Sequence, residues 1–280
     1  MKNTVATLLE MKKNGEKINQ LTCYDFTTAS IMDEYVDTIL VGDSLGMVMQ
    51  GYNDTLPITV DDMIVYGRSV ARACKHALVV LDMPFMSYQI SPAQALENAG
   101  RMMKEAGVAA VKLEGGKSVC PQIKAITDAG IPVVAHIGMT PQSVNAFGGF
   151  KVQGKGEANA RRVLEDALAV QEAGAFAVTL ECIPPKLAAL ITKKLDIITI
   201  GIGASAECDG QVLVYQDMLG LTGRAPKFVK QYGNVAEEMR NAFSQYRDEV
   251  KNKQFPTAEQ TYAKSDCEDE FYAALDKEFD

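Results

Sequence analysis

The amino-acid sequence predicts an α/β protein with one domain, residues 1–280, folded as a (βα)8 TIM barrel. Eight short apolar runs rich in Val and Ile alternate with helical segments along the chain. Nearly continuous apolar runs are typical of parallel strands that helices cover on both faces. About eight such units in 280 residues favour a closed barrel over an open sheet, and no G-x-G-x-x-G motif follows the first run.

The strands and helices can be assigned in chain order. The predicted strands are residues 19–24, 37–42, 77–82, 108–113, 131–136, 176–181, 196–201 and, more weakly, 211–216. The predicted helices between them are residues 60–75, 92–106, 119–129, 158–173 and 185–194. Ser91-Pro92 is a typical helix start, and Gly107, Gly130 and Gly174 each follow a helix end directly before a strand.

Three segments lie outside the eight units. Residues 3–13 have an amphipathic pattern, and we expect this helix to plug the bottom of the barrel. Residues 235–253 are predicted to form a C-terminal helix that packs on the domain. Residues 264–280 form an acidic tail for which the sequence suggests no role.

Composition argues against several classes of partner. The net charge is −8 and no Lys/Arg cluster occurs, which disfavours nucleic-acid binding. The first residues carry regular charges and resemble neither a signal peptide nor a membrane span, so we expect a cytoplasmic protein without a membrane partner. The six cysteines form no C-x-x-C pair, which indicates buried, reduced thiols rather than a zinc site or disulfides.

Reactive side chains stand at the ends of most predicted strands, where the active sites of (βα)8 barrels lie. They are Asp43 and Ser44, Asp82, Lys112 and Glu114, His136, and Glu181. Four carboxylates facing one small volume repel each other unless some are protonated or a cation neutralises them. A ligand set of oxygens suits a hard ion such as Mg2+ better than zinc. The sequence therefore predicts a divalent metal site.

Metal, lysine and a further carboxylate together suggest enolate chemistry. A 2-oxo acid can chelate Mg2+, so that the ion and Lys112 stabilise the negative charge formed when a base removes the C3 proton. Glu181 is the best candidate for that base, and Tyr24 and Ser44 are candidates for holding the substrate carboxylate. Each residue also has a structural alternative: Asp43 as a helix N-cap, Lys112 as an ion-pair partner of Glu114, and His136 as a structural barrel histidine.

At these residues the chain resembles the ketopantoate hydroxymethyltransferase family, over about residues 21–232. The segments that carry the resemblance are VGDSLGMVMQGYNDTLPIT, LDMPFMSYQ, VKLEGG, HIGMTPQSVNAFGGFKVQGKG, LECIP, DGQVLVYQDMLG and RAPKFVKQY, in family order. The resemblance implies a barrel of the phosphoenolpyruvate/pyruvate superfamily. It implies transfer of a hydroxymethyl group from 5,10-methylenetetrahydrofolate to 3-methyl-2-oxobutanoate, giving 2-dehydropantoate for pantothenate and coenzyme A synthesis.

The resemblance also implies residue roles and an assembly. The metal ligands fall on Asp43, Asp82 and Glu114, and the general base on Glu181. Substrate contacts fall on Ser44, Asp82 and Lys112, to which we add Asp43 and His136 as substrate-binding candidates. Members of the family form large homo-oligomers, commonly decamers.

Some positions depart from the family pattern. Tyr66 and Gln216 stand where a histidine is usual, and GIGASAECDG at residues 201–210 differs from the usual loop after the seventh strand. Three alternatives remain. A carbon–carbon lyase of the same superfamily usually carries a K-K-C-G-H-type loop, which this sequence lacks. A Schiff-base aldolase would use Lys112 as nucleophile, and a non-catalytic barrel would bind an oxo acid or a folate.

Overall fold

The computed structural model describes residues 2–223, 225–262 and 267–279, and its main unit is a closed parallel barrel. The strands pair in chain order, and β8 closes the barrel on β1. They are β1 Ile18–Thr22, β2 Thr38–Val41, β3 Leu78–Asp82, β4 Ala110–Glu114, β5 Val133–Gly138, β6 Ala177–Glu181, β7 Ile198–Ile202 and β8 Gly210–Leu213. All eight predicted runs are strands, so the predicted barrel is confirmed.

The helices between the strands include all five that the sequence predicts, together with shorter ones that it does not. They are α1 Val5–Lys13, α2 Phe26–Met32, α3 Leu45–Val48, α4 Val60–Ala73, α5 Pro92–Arg101, α6 Cys120–Asp128, α7 Val144–Phe147, α8 Glu157–Glu172, α9 Pro185–Lys194, α10 Tyr215–Met218, α11 Val235–Lys251 and α12 Asp269–Glu278. The predicted helix at 92–106 is α5 continued by a π-helical turn, Met102–Ala106. The second half of the weak eighth run starts α10 instead of extending β8.

The barrel interior has an apolar floor at the N-terminal ends of the strands. Inward side chains from all eight strands pack there with Leu8 of α1, which is only 2% exposed. The Lys12 ammonium of the same helix donates to the Asp209 carboxylate at 2.8 Å and to the Ile197 carbonyl at 2.9 Å. The prediction that residues 3–13 plug the bottom of the barrel is therefore confirmed.

Strand register decides which polar side chains meet above this floor. Asp82 is paired with Lys112, Glu114 with His136, and Gly138 with Glu181 across neighbouring strands. Because successive residues of a strand point to opposite faces, Lys112 and Glu114 face the interior while Val111 and Leu113 pack under the helices.

The remaining part of the chain forms a second compact unit, residues 234–280. Helix α11 has no buried residue, and its Tyr246 ring lies 5.6 Å from that of Phe255. Part of the predicted acidic tail forms α12, whereas residues 264–266 and 280 lie outside the described residues. The packing of this unit on the barrel, and with it the single-domain organisation, stays a prediction.

Two other expectations can be compared with the structure. Cys23, Cys74 and Cys208 are buried thiols, and Cys120 and Cys182 are partly buried. The expectation of buried thiols is wrong for Cys267, which is exposed. No helix within the described residues is long and apolar enough to cross a membrane.

Candidate functional site

The predicted site residues all line one cavity at the C-terminal ends of the strands, with a volume of about 710 Å³. They are Asp43, Ser44, Asp82, Lys112, Glu114, His136 and Glu181. All the ionisable members are buried. Asp82 and Glu181 are the last residues of β3 and β6, so the parallel barrel itself brings their carboxylates to the same end.

Lys112 forms a buried ion pair with Asp82, with its ammonium nitrogen 2.6 Å from Asp82 Oδ1. Burial lowers the pKa of Lys112, but the carboxylates of Asp82, Glu114 and Asp43 outweigh burial and the net effect raises it. Lys112 is therefore charged. The sequence-based alternative named Glu114 as its ion-pair partner, and this is wrong because the register places Asp82 directly beside Lys112.

Asp43 and Asp82 are held close together at the cavity floor. The backbone N–H of Asp43 donates to Asp82 Oδ2 at 3.1 Å. Burial raises the pKa of Asp43 well above its ordinary value, and the carboxylates of Asp82 and Glu114 raise it further. Burial also raises the pKa of Asp82, although Lys112 opposes this shift. Asp43 is not the N-cap of α3, since that position belongs to Ser44.

His136 lies between two carboxylates. Its Nδ1 is 3.3 Å from Glu114 Oε1, and its Nε2 is 3.1 Å from Glu181 Oε2. The Nε2 atom makes no hydrogen bond of standard geometry, so the contact with Glu181 is an ion pair without good alignment. Burial and Lys112 lower the pKa of His136, but contacts with Glu114 and Glu181 outweigh them and raise it to about 9.

Gln142 is a buried residue of the site that the sequence reasoning missed. Its side-chain nitrogen donates to Asp43 Oδ2 at 2.8 Å and to the Met83 carbonyl at 3.0 Å. Its backbone N–H donates to Glu114 Oε2 at 2.9 Å. Its side-chain oxygen accepts from the Tyr88 hydroxyl at 2.6 Å. One glutamine thus fixes two of the three predicted metal ligands, and no local sequence signal marks it.

Tyr24 supports the site from behind. Its hydroxyl lies 2.8 Å from the Ser44 hydroxyl, and the ring is almost completely buried. Ser44 lines the cavity, but Tyr24 does not. The expectation that both residues hold the substrate carboxylate is therefore corrected for Tyr24, which positions Ser44 instead.

The positions that depart from the family pattern lie in different places: Tyr66 packs against the hydrophobic core, Gln216 precedes the cavity residue Asp217, and the altered loop lines a neighbouring cavity. The Gln216 amide is buried and its nitrogen lies 3.4 Å from the Met49 sulfur. Gly203, Ala204, Ser205 and Ala206 of the altered loop line a second cavity of about 840 Å³. The two cavities share Val152, Cys182, Lys227 and Phe228 along their walls.

The carboxylates share one cavity, but their spacing is not that of a set of metal ligands. In the described ranges, no three or more His, Cys, Asp or Glu side chains have the mutual geometry of a metal site. Lys112 supplies the positive charge at Asp82 in this arrangement. Four acids against Lys112 and His136 leave an excess of negative charge, and an oxygen-only donor set suits a hard divalent ion.

Comparison with known proteins agrees with the family resemblance seen in the sequence. A family model described as "Ketopantoate hydroxymethyltransferase" matches residues 2–258. A relative named 3-methyl-2-oxobutanoate hydroxymethyltransferase from Clostridium novyi (strain NT) is 58% identical over 264 residues, covering 94% of this chain and 96% of its own. One of the same name from Enterococcus faecalis (strain ATCC 700802 / V583) is 58% identical over 268 residues, covering 95% and 98%.

Solved structures with the same fold are much more distant in sequence. Phosphoenolpyruvate phosphomutase from Streptomyces platensis subsp. rosaceus has a TM-score of 0.60 at 16% identity, covering 99% of this chain and 96% of its own. A 2,3-dimethylmalate lyase has a TM-score of 0.59 at 16% identity, covering 93% and 92%. This likeness concerns the barrel fold alone.

Proposed function

The chain belongs to the ketopantoate hydroxymethyltransferase family and is a hydroxymethyltransferase acting on 3-methyl-2-oxobutanoate. On this premise we propose that 5,10-methylenetetrahydrofolate is the one-carbon donor and that the buried residues have separate catalytic and binding roles. The observation that carries the proposal is the approach of Glu181, His136 and Lys112 in one cavity.

Glu181 is the proposed general base. It accepts the C3 proton of the oxo acid, and the electron pair released from that bond forms the new bond to the donor's methylene carbon. Both carbon–nitrogen bonds of the methylene bridge break, water supplies the hydroxyl oxygen, and the two folate nitrogens each gain a proton. His136 touches the Glu181 carboxylate at 3.1 Å and keeps it directed into the cavity.

Lys112 and Ser44 are proposed to bind the oxo acid. The Lys112 ammonium faces the negative charge that develops on the keto oxygen, where a preorganised cation in a buried site is most effective. The Ser44 hydroxyl, held by Tyr24, donates to the substrate carboxylate. Asp43 and Asp82 complete the floor on which the substrate rests.

Asp43, Asp82 and Glu114 are proposed to hold a divalent cation, with Mg2+ as the first choice. The raised pKa values of Asp43 and Asp82 reflect burial and the crowding of carboxylates, which a cation would relieve. The oxygen-only donor set also supports this assignment. When bound, the ion would supply Lewis acidity to the two oxygens of the 2-oxo acid. Gln142 donates hydrogen bonds to both Glu114 and Asp43 and would hold these two carboxylates in place beside Asp82.

The test separates proton removal from group transfer. The first assay follows exchange of the C3 proton in D2O by NMR without folate, which measures the contribution of Glu181 and the cation to proton removal. The second assay measures product formation with the folate and therefore the whole reaction. We expect Glu181→Gln to lower both by roughly 10²- to 10⁴-fold, EDTA to abolish both, and Mg2+ to restore the wild-type rates. Glu97→Gln, an exposed residue of α5, is the matched control.

Three outcomes would contradict this function. Activity that survives EDTA, with borohydride trapping the substrate on Lys112, would establish the Schiff-base alternative. Normal C3 proton exchange in Glu181→Gln would show that Glu181 is not the general base. Absence of turnover under every condition would favour the non-catalytic barrel.

We also propose a cytoplasmic homo-oligomer, with the decamer as the expected form. Large apolar side chains such as Phe26, Ile31, Tyr35 and Ile90 are exposed on the isolated chain, which supports an extensive contact between copies. Ten chains of 30.4 kDa predict a mass of about 304 kDa by light scattering. A mass of one chain in solution would contradict this proposal.

A further inference from the structure

We infer that the mouth of the catalytic cavity binds the anionic γ-linked glutamate tail of a reduced folate, through Lys151 and Lys227. The inference rests on the proposed folate donor and adds a ligand site to it. Four observations carry the argument: the size of the cavity, exposed aromatic rings at its mouth, lysines without acidic partners, and a second cavity that continues the path.

The catalytic cavity is larger than its oxo acid requires. Its volume of about 710 Å³ lies in the roughly 300–1,000 Å³ range of sites that enclose drug-sized ligands. The catalytic carboxylates and Lys112 lie at the floor, so a five-carbon oxo acid placed there leaves the outer part available. The outer part is therefore the space in which the larger co-substrate fits.

The mouth of the cavity presents aromatic and aliphatic side chains from two separate segments. Phe150 and Val152 follow α7, and Phe228 follows α10; all three line the cavity. Phe150 is 58% exposed and Phe228 is 36% exposed. Exposed rings at the entrance of a cavity can stack against flat heteroaromatic groups, such as the ring system of a folate.

Each of these segments also places a lysine directly beside its phenylalanine. Lys151 and Lys227 line the same cavity as Phe150 and Phe228. Across residues 2–223, 225–262 and 267–279, neither ammonium has an ion-pair partner within 4.0 Å. The chain as a whole has a net charge of −8, so two lysines without acidic partners at the mouth give it a local positive charge.

One acid near the mouth reduces the positive charge of these lysines without cancelling it. Asp217 lines the same cavity, and its carboxylate accepts a hydrogen bond from the Thr222 hydroxyl at 2.6 Å. The other acids that line the cavity are Asp43, Asp82, Glu114 and Glu181, and all of them lie buried at the floor. Two lysines against the single carboxylate of Asp217 leave a net positive charge at the mouth.

The second cavity gives the tail a path away from the reaction centre. It has a volume of about 840 Å³ and shares Val152, Cys182, Lys227 and Phe228 with the first. Lys17 lies on its wall, and the Lys17 ammonium is held by backbone carbonyls, including Cys208 O at 2.6 Å, rather than by a carboxylate. A chain of carboxylates leaving the first cavity thus meets Lys227 and then approaches Lys17.

The chemistry of the tail matches this arrangement. Each γ-linked glutamate adds one carboxylate to the folate, and the glutamate chain is flexible enough to follow a surface. Exposed ion pairs contribute modestly, so we expect a pentaglutamate donor to have a KM roughly three- to tenfold lower than the monoglutamate donor. The difference should shrink as salt screens the charges.

The experiment compares mono- and pentaglutamyl 5,10-methylenetetrahydrofolate in the full-length protein. We expect the ratio of their KM values to fall to about one in Lys151→Gln/Lys227→Gln. Because the ratio is taken within each variant, a general loss of activity cancels. The matched control is Lys193→Gln/Lys194→Gln, which removes the same charge from exposed residues in the last turn of α9 and should keep the wild-type ratio.

The outcomes distinguish this inference from the proposed function. Equal KM values for both donors in the wild type, with normal turnover, would overturn the tail site alone. An unchanged ratio in Lys151→Gln/Lys227→Gln, or the same loss in Lys193→Gln/Lys194→Gln, would also overturn it. Absence of product from both donors, with normal C3 proton exchange, would overturn the donor assignment and the tail site with it.

Discussion

Individual residues at the cavity floor combine charge with strict positioning. Lys112 is paired with Asp82 at 2.6 Å, and His136 touches both Glu114 and Glu181. Buried carboxylates without full compensation destabilise a fold, and the raised pKa of Asp43 is the sign of this cost. The cost is tolerated where the same charges are needed for binding and chemistry. Gln142 stabilises this arrangement through hydrogen bonds that include those to Asp43, Met83, Glu114 and Tyr88.

Gln142→Leu tests the positioning of the proposed metal ligands. The variant loses the donor to Asp43 Oδ2, so we expect the affinity for Mn2+, used as a spectroscopic probe, to fall by roughly 10- to 100-fold. Electron paramagnetic resonance titration measures this affinity without reference to activity. Gln122→Leu is the control, because Gln122 is a buried glutamine of α6 whose side-chain oxygen has no hydrogen-bond partner. Equal Mn2+ affinity in wild type and Gln142→Leu would contradict the role.

At the scale of elements, the joins between strands and helices place the reactive groups. Gly138 ends β5 beside Glu181 of β6 with φ of +95°, and a Cβ there would lie 2.3 Å from the Glu181 carbonyl oxygen. The next residue, Met139, donates its N–H to the same oxygen at 2.9 Å. The β5–β6 pairing thus sets the position of Glu181, the proposed general base.

Gly138→Ala is expected to displace Glu181 as well as strain the backbone. We expect a loss of about 1–3 kcal/mol in stability and a marked fall in C3 proton exchange per folded molecule. Gly130→Ala is the control, since φ is +83° there and a Cβ would meet nothing within 4 Å. Its stability should fall while exchange per folded molecule persists; full exchange in Gly138→Ala would show that the contact does not position Glu181.

Asp33, at the C-terminal end of α2, stabilises the loop that joins α4 to β3. Its carboxylate accepts hydrogen bonds from the backbone N–H groups of Lys75, His76 and Ala77, at 2.7 to 3.1 Å. Burial opposes ionisation, but these three N–H groups outweigh it and lower the pKa of Asp33. A lowered pKa means that its stabilisation is complete above the unfolded-state value near 4 and is lost as the pH falls.

Asp33→Asn should therefore be destabilised at neutral pH by about 1–3 kcal/mol, and the difference from wild type should narrow below about pH 4. Urea unfolding at both pH values measures the free energy. Asp128→Asn, whose exposed carboxylate pairs with Lys124, should change stability by less than about 1 kcal/mol. A difference that grows on acidification would contradict the assigned sign.

At the scale of the whole molecule, the two ends of the barrel differ in polarity. Helix α1 and an apolar layer close the lower end, and the polar layer with its excess of acids fills the upper end. The folded state therefore concentrates negative charge at one end, and a divalent cation bound there should stabilise the whole fold by mass action.

Thermal unfolding with and without Mg2+ tests this coupling. At a concentration one hundred times Kd the ion should add about 2.7 kcal/mol, which corresponds to roughly 5–10 °C in Tm for a domain of this size. In Asp43→Asn the shift should disappear, and Tm without metal should exceed that of the wild type because one buried carboxylate is gone. Asp196→Asn, at an exposed position before β7, should keep the wild-type shift. Retention of the shift in Asp43→Asn would remove Asp43 from the ligand set.

The sequence by itself determined the eight strands, the five longer helices between them and the plug α1. It also determined the convergence of Asp43, Asp82, Lys112, Glu114, His136 and Glu181. It could do so because burial periodicity is local and because a parallel barrel gathers every strand's C-terminal end on one side. Tertiary structure alone decided that Lys112 pairs with Asp82, that Gln142 reaches Asp43, and that Tyr24 stands behind Ser44. These contacts depend on register between strands and on the path of loops, which are fixed by packing between residues distant in the chain and leave no periodic signal in the sequence.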